Sequence, residues 1–292
     1  MSIHTLLNNI FYNGVEGVVE GFILFNNEKV VDIGERAKPE YELSELVIDY
    51  GYRAYALHGY SLAIDPSKYL VRGLNEDLDL SIYSDNELEK IVYAVLYEMY
   101  LNGITLPVLF NELLEIVNRV VKEHSLEAVI VHDEGTLKHY TGIIYVERRG
   151  DKLYVNDREL GSFDKLFCTI QRVSSECVFI DISGLPTLNT STVIYELSKN
   201  IGVNSAIKLL INPYRVLGMD HGVLENGCRP DILVYDLKDS RLTIPRQYVE
   251  YVVLRGYPPS QVFVKGDTFF DHGESLVLTP SRIDDILFKA RD

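Results

Sequence analysis

Leu217-Gly218-Met219-Asp220-His221-Gly222-Val223-Leu224-Glu225-Asn226-Gly227-Cys228-Arg229-Pro230-Asp231-Ile232-Leu233-Val234-Tyr235-Asp236 is the stretch that decides the fold. Gly218, Gly222 and Gly227, with Asp220 and Asn226 between them, are turn formers. They deliver the chain into Ile232–Tyr235, an apolar run flanked by aspartates that reads as a buried strand. The glycines and aspartates serve the path of the backbone, so the stretch speaks of fold rather than chemistry.

The segment after it keeps the same character. Gln261-Val262-Phe263-Val264-Lys265-Gly266-Asp267 reads as a strand and tight turn. The N-terminal end matches it: Leu6–Phe11, Gly21–Glu28, Val30–Gly34 and Val47–Gly51 are short apolar runs separated by Asn and Gly turns. Strands this far apart in sequence are expected to pack together. The reading is a composite β-sandwich from residues 1–55 and 216–279, with 280–292 as a tail or short helix.

The middle, residues 56–215, is different. Ser84-Asp85-Asn86-Glu87 is a capping box, and apolar residues recur at Leu88, Ile91, Val92, Val95, Leu96, Met99 and Tyr100 until Asn102-Gly103 ends the helix. Ile104–Leu106 is the expected next strand, Leu109–Lys122 the next helix, and Ala128–Val131 a third buried strand. Strand alternating with helix predicts a parallel sheet. Gly142–Val155 then alternates around Gly150-Asp151 as an antiparallel hairpin. Cys177–Ile182 resumes the strands, followed by helices at Thr190–Lys199 and Ser205–Ile211. An eight-unit barrel needs roughly 200–250 residues, more than this middle offers, so several units are expected to be missing. The fold class is α/β plus β: the composite sandwich with a reduced TIM-type α/β barrel.

A formal charge of −15 without any basic run repels a phosphate backbone, which excludes nucleic acid as a partner. Ile91–Phe110, the longest apolar stretch, is interrupted by Glu98 and Asn102 and does not read as a membrane span. Met1–Gly14 lacks a basic start and apolar core, so no secretory signal and a cytoplasmic address are expected. Cys168, Cys177 and Cys228 form no paired motif and are expected to be reduced.

Five places resemble one known family. They are Phe22–Gly34 as an opening strand pair, Asp49-Tyr50-Gly51 with Gly59, Leu70–Leu74 around Arg72-Gly73, Tyr100–Thr105, and Pro186–Ser191; the closing stretch Leu217–Asp236 makes a sixth. Together they are similar to the metal-dependent amidohydrolase superfamily, most of all its chlorohydrolase and guanine–cytosine deaminase branch. The resemblance implies hydrolysis of C–N or C–Cl bonds in heterocycles by a metal-activated water. It also implies a His-x-His pair at positions 64 and 66 and an aspartate at 184. Here these are Ile64, Pro66 and Gly184.

With that motif lost, no metal is expected, and the chain reads as a non-catalytic ligand-binding or partner subunit. The alternative is an active hydrolase of C–N bonds in cyclic substrates whose site has been rebuilt, holding zinc or iron. Its candidates are His132, Asp133 and Glu134 directly after the buried run Val129–Val131, with His139 from the same loop, and Asp181 on the later strand. Arg72 is the candidate ligand-binding residue, with pairing to Glu76, Asp77 or Asp79 as its bland alternative. His58 reads as a strand-end polar residue, with a displaced metal ligand beside Tyr60 as its alternative. The expected partners are a small molecule, and either a second copy or an intact amidohydrolase relative.

Overall fold

The computed structural model describes residues 4–74, 79–220 and 222–278. The N-terminal strands are β1 (Thr5–Gly14), β2 (Gly17–Phe25), β3 (Val30–Gly34), β4 (Leu46–Asp49) and β5 (Ala54–His58). The middle holds β6 (Ala63–Ile64), α1 (Asp85–Leu101), β7 (Val108–Leu109), α2 (Leu114–Glu123), β8 (Val129–Asp133), β9 (Ile144–Arg149), β10 (Lys152–Val155) and β11 (Arg158–Ser162). It continues with α3 (Phe163–Leu166), β12 (Phe167–Thr169) and β13 (Phe179–Asp181). The chain closes with α4 (Thr190–Ile201), α5 (Val203–Val216), β14 (Ile232–Asp236), β15 (Gln261–Val264), β16 (Asp267–Asp271) and β17 (Glu274–Ser275).

Two compact units form. Among the described residues, the first takes the chain up to Tyr60, Leu101–Thr105 and Asn189–Val277, and the second takes Ser61–Tyr100, Leu106–Leu188 and Leu278. The helices α4 and α5, assigned from sequence to the middle, therefore cluster with the first unit. The 280–292 tail lies outside the described residues.

In the first unit a single sheet runs β17-β16-β15-β14-β5-β1-β2-β3, with β4 also paired to β1. β14 aligns antiparallel on β5 from Ile232↔His58 to Asp236↔Ala54, so strands from both chain ends meet at its centre. All five residues of β5 are buried, as a strand covered on both faces requires. β1 serves two neighbours on one side: Thr5–Asn8 pair with β4, and Phe11 and Tyr12 pair with β5. A register shift between Leu7 and Ile10 separates the two pairings, and Asn9 there takes φ 51°, a conformation asparagine tolerates.

The sheet curls over on itself. Phe25 of β2 and Phe263 of β15 stand four strands apart along the sheet, about 19 Å if it were flat, yet their ring centroids are 5.2 Å apart. The enclosed core includes Leu7, Ile10, Ile23, Leu224, Ile232 and Phe263. Between β2 and β3, a Cβ at position 21 would lie 1.8 Å from the Gly34 carbonyl oxygen, so only glycine fits.

His58, at the end of β5, is buried rather than a simple strand-end polar group. Its Nε2 lies 3.1 Å from Asp220 Oδ2, its Nδ1 lies 2.9 Å from the Gly59 carbonyl, and its ring meets Tyr214 edge-on at 4.5 Å. Burial alone would lower the His58 pKa, but the bond and charge of Asp220 hold it above the ordinary value. Burial alone would raise Asp220, and the same pairing holds it below. The contribution of Asp220 is therefore present above about pH 4 and lost as pH falls; that of His58 is full below about pH 6.5 and lost as pH rises through its folded value. Denaturant melts of wild type and His58→Gln between pH 5 and 9 are expected to differ in slope, the variant losing the alkaline decline. Parallel slopes would remove this pair from the account.

The second unit carries an eight-stranded sheet, β11-β10-β9-β8-β7-β6-β13-β12. Six strands from β12 to β9 run parallel, and β10 and β11 extend them as an antiparallel meander, one strand more than the expected hairpin. α1 begins as the capping box predicts, with the Ser84 amide donating to Glu87 Oε2 at 2.9 Å. The strand expected at Ile104–Leu106 lies instead at Val108–Leu109, because Ile104 only bridges Tyr60 within the first unit. α2 starts five residues late, since Asn111 and Leu113 take positive φ.

The expected reduced thiols are corrected for two of the three cysteines. Cys168 and Cys177 form a disulfide with Cα atoms 5.9 Å apart. Parallel pairing of β12 and β13 sets Cys168 opposite Ile180, and the turn before β13 brings Cys177 back beside it. Cys228 is free and buried, its thiol pushed up to about 12 chiefly by that burial. No helix among the described residues is long and apolar enough to cross a membrane.

Candidate functional site

Parallel strands present their C-terminal ends, and the loops beyond, on one edge. In the second unit that edge carries two polar groups.

The first group joins the ends of β6, β7 and β13. Asp65 is buried, and its Oδ1 accepts from the Ser67 amide at 3.0 Å and hydroxyl at 2.7 Å. Its Oδ2 accepts from Asn111 Nδ2 at 3.1 Å. The Asp65 amide donates to Ser183 Oγ at 2.7 Å, and Ser183 in turn donates from hydroxyl and amide to Asp181 Oδ1 at 2.6 and 2.8 Å. Burial, aided by the charge of Asp65, holds the Asp181 carboxyl above its ordinary value against the pull of the Ser183 bonds. The positions where the resemblance puts metal ligands do not fit a metal. Ile64 and Pro66 are buried and offer no lone pair, Gly184 has no side chain, and both oxygens of Asp65 and Oδ1 of Asp181 already take serine and asparagine donors.

The second group lies on β8, β9 and the loop between them. The register sets His132 beside Glu147 and Asp133 beside Arg148. The buried His132 ring has Nδ1 2.8 Å from the Asp133 carbonyl oxygen. A carbonyl can only accept, so Nδ1 carries a proton, and in the neutral ring the lone pair is on Nε2. That Nε2 lies 3.0 Å from His139 Nε2, which is 3.7 Å from Glu147 Oε1. The His139 ring stacks on Tyr145 at 4.0 Å and 7°, and Tyr145 is fixed by its hydroxyl bond to Asn118. Arg149 donates to the other oxygen, Glu147 Oε2, at 2.6 Å. A cavity of about 340 Å³ opens beside His139, Tyr145, Glu147, Arg149 and Asp157.

Of the sequence candidates, His132 and His139 come together here. Asp133 contributes its carbonyl while its side chain is exposed, and the exposed Glu134 pairs with Arg149 Nε at 3.2 Å. Asp181 belongs to the other group. Arg72 is committed elsewhere: its guanidinium donates to Glu98 on α1 at 2.9 Å and lies over the Tyr69 ring. Of its expected partners, Asp79 instead accepts from Ser81, while Glu76 and Asp77 lie outside the described residues, as does His221. Glu147 was missed in the sequence because only the strand register reveals its neighbour.

No family model matches the sequence, and no curated protein matches it. Solved structures do. An adenosine deaminase from Xanthomonas campestris with bound zinc superposes with a TM-score of 0.69 at 11% identity, covering 99% of this chain and 98% of that one. An atrazine chlorohydrolase from Arthrobacter aurescens TC1 complexed with zinc gives 0.72 at 11% identity, covering 98% and 99%. An amidohydrolase from a Sargasso Sea environmental sample gives 0.68 at 12% identity, covering 99% and 97%. All belong to the amidohydrolase superfamily, and at these identities the likeness shows the fold.

Proposed function

We propose, from the amidohydrolase fold of this chain, that it is a small-molecule-binding protein in which hydrolysis at the strand-end metal centre has been given up. In this reading the curled sheet is the composite sandwich of the superfamily, and the six parallel strands are its reduced barrel. The observation that carries the reading is the Asp65–Ser183–Asp181 network, which occupies the strand ends beside two apolar side chains and a glycine. The Asp181 carboxyl, with Oδ1 held by Ser183 at the strand ends, suits ligands that offer N–H donors, such as amino-substituted heterocycles. Arg72, tied to Glu98, positions α1 rather than the ligand. The subunit acts alone, as a homo-oligomer, or with an intact relative.

Thermal shifts with a panel of aminopurines and aminotriazines are expected to identify a binder, which at a hundred times its Kd adds about 2.7 kcal/mol. Asp181→Asn is expected to abolish the shift. Because its folded pKa is raised, Asp181 costs stability above its unfolded value, so the unliganded variant is expected to be no less stable at pH 7. Mass spectrometry is expected to show no product from any binder, with or without added zinc. Catalytic turnover would sink this reading in favour of the rebuilt hydrolase, which the His132, His139 and Glu147 group favours.

A further inference from the structure

We propose that His132, His139 and Glu147 form a binding site for one divalent transition-metal ion of the zinc class, set in the β8–β9 strand pair away from the β6–β13 strand ends. The ligand atoms are His132 Nε2, His139 Nε2 and Glu147 Oε1, all within 4.8 Å of one another. Donors bound tetrahedrally to zinc at 2.0–2.1 Å stand about 3.3 Å apart. The separations of 3.0 Å between the two imidazoles and 3.7 Å from His139 to Glu147 bracket that value, so small side-chain rotations bring them onto one ion.

The surroundings prepare each donor. The Asp133 carbonyl fixes the His132 tautomer with its lone pair aimed at the site, the outer-shell device common to metal-bound histidines. His139 stands on the face of Tyr145, and its metal-binding tautomer needs only the transfer of its proton to Nδ1. Arg149 takes one oxygen of Glu147 and leaves the other toward the imidazoles. Glu134, Glu147 and Asp157 all pair with Arg149, so carboxylates outnumber the cation and favour a positive ion. Two histidines and one carboxylate are a catalytic-type zinc set, and the adjoining cavity leaves the fourth position open. Magnesium and calcium, which require six or more oxygen ligands, do not suit it.

The site is independent of the reading above. Full-length protein stripped with chelator is to be titrated with Zn2+ by calorimetry and with Co2+ by visible absorption. One saturable equivalent of each is expected, with a cobalt spectrum of low coordination number, and none of Mg2+. His139→Ala and Glu147→Gln, one exposed and one half-buried, keep the buried His132 in place. Each is expected to weaken Zn2+ by more than the roughly 100-fold that loss of an outer-shell partner can cost, while Glu134→Gln stays near wild type. No saturable Zn2+ or Co2+ binding overturns the proposal, and so does binding indifferent to both ligand variants. Metal bound here without turnover supports the site and leaves the binding-protein reading standing. Turnover that disappears with these variants also supports the site, but ends that reading.

Discussion

Asp231→Ala is expected to destabilise the first unit by about 3–5 kcal/mol, the cost of removing one partner from a buried ion pair. Asp231 is fully buried. Its Oδ1 accepts from Arg229 Nε at 2.9 Å and from the Lys265 amide at 2.8 Å, and its Oδ2 accepts from the Tyr214 hydroxyl at 2.9 Å. Alanine would take the carboxylate from a guanidinium only 10% exposed, and an acceptor from the buried Tyr214 hydroxyl and the partly buried Lys265 amide. Equilibrium urea unfolding measures the loss. Pairing Asp231→Leu with Arg229→Met is expected to recover part of it, since replacing both charges with apolar groups removes the uncompensated one. A loss under about 1 kcal/mol would show that the network does not hold this corner together.

The second large effect is expected from ending the chain after Val216. That removes β14, the neighbour of β5 through five residue pairs, together with β15 to β17 beyond it. It also removes Leu224, Cys228, Ile232, Val234 and Phe263 from the core that Leu7, Ile10, Ile23 and Phe25 face. Each of the four aliphatic and aromatic side chains among them contributes about 1.5–3 kcal/mol on burial, so their loss, roughly 6–12 kcal/mol, is comparable with the usual 5–15 kcal/mol stability of a whole domain. Hydrogen exchange is expected to show β1, β2 and β5 unprotected in the truncated chain. Slow exchange persisting in those strands would mean that the N-terminal half folds by itself.

What could be read from the residues was whatever local chemistry determines. Gly218 to Gly227 announced turns and Ile232–Tyr235 a strand; Ser84 and Glu87 announced the start of α1; Gly150-Asp151 announced the β9–β10 hairpin. The positions of Ile64, Pro66 and Gly184 were legible as side chains without metal donors. Illegible was the register between strands that no tight turn joins. Glu147 looked like one more polar residue in an alternating run, and only the parallel register with β8 makes it the neighbour of His132. The Cys168–Cys177 bond likewise depends on β12 pairing with β13, and the strand at Ile104–Leu106 moved to Val108–Leu109 once Ile104 was drawn to Tyr60. Arg72 carried a motif match but found Glu98, twenty-six residues away on a helix whose facing the motif does not encode.

The central pairing of β5 with β14 also sets a clock. A ribosome adding about 5–20 residues per second makes Ile232 roughly 9–35 seconds after His58, so for that interval the buried edge of β5 has no partner to bond. An unpaired, apolar strand edge is a template for any neighbouring nascent chain. The nascent protein is therefore expected to need shielding during its own synthesis, and slowing translation between β5 and β14 is expected to lower the soluble yield while leaving the stability of the finished molecule unchanged.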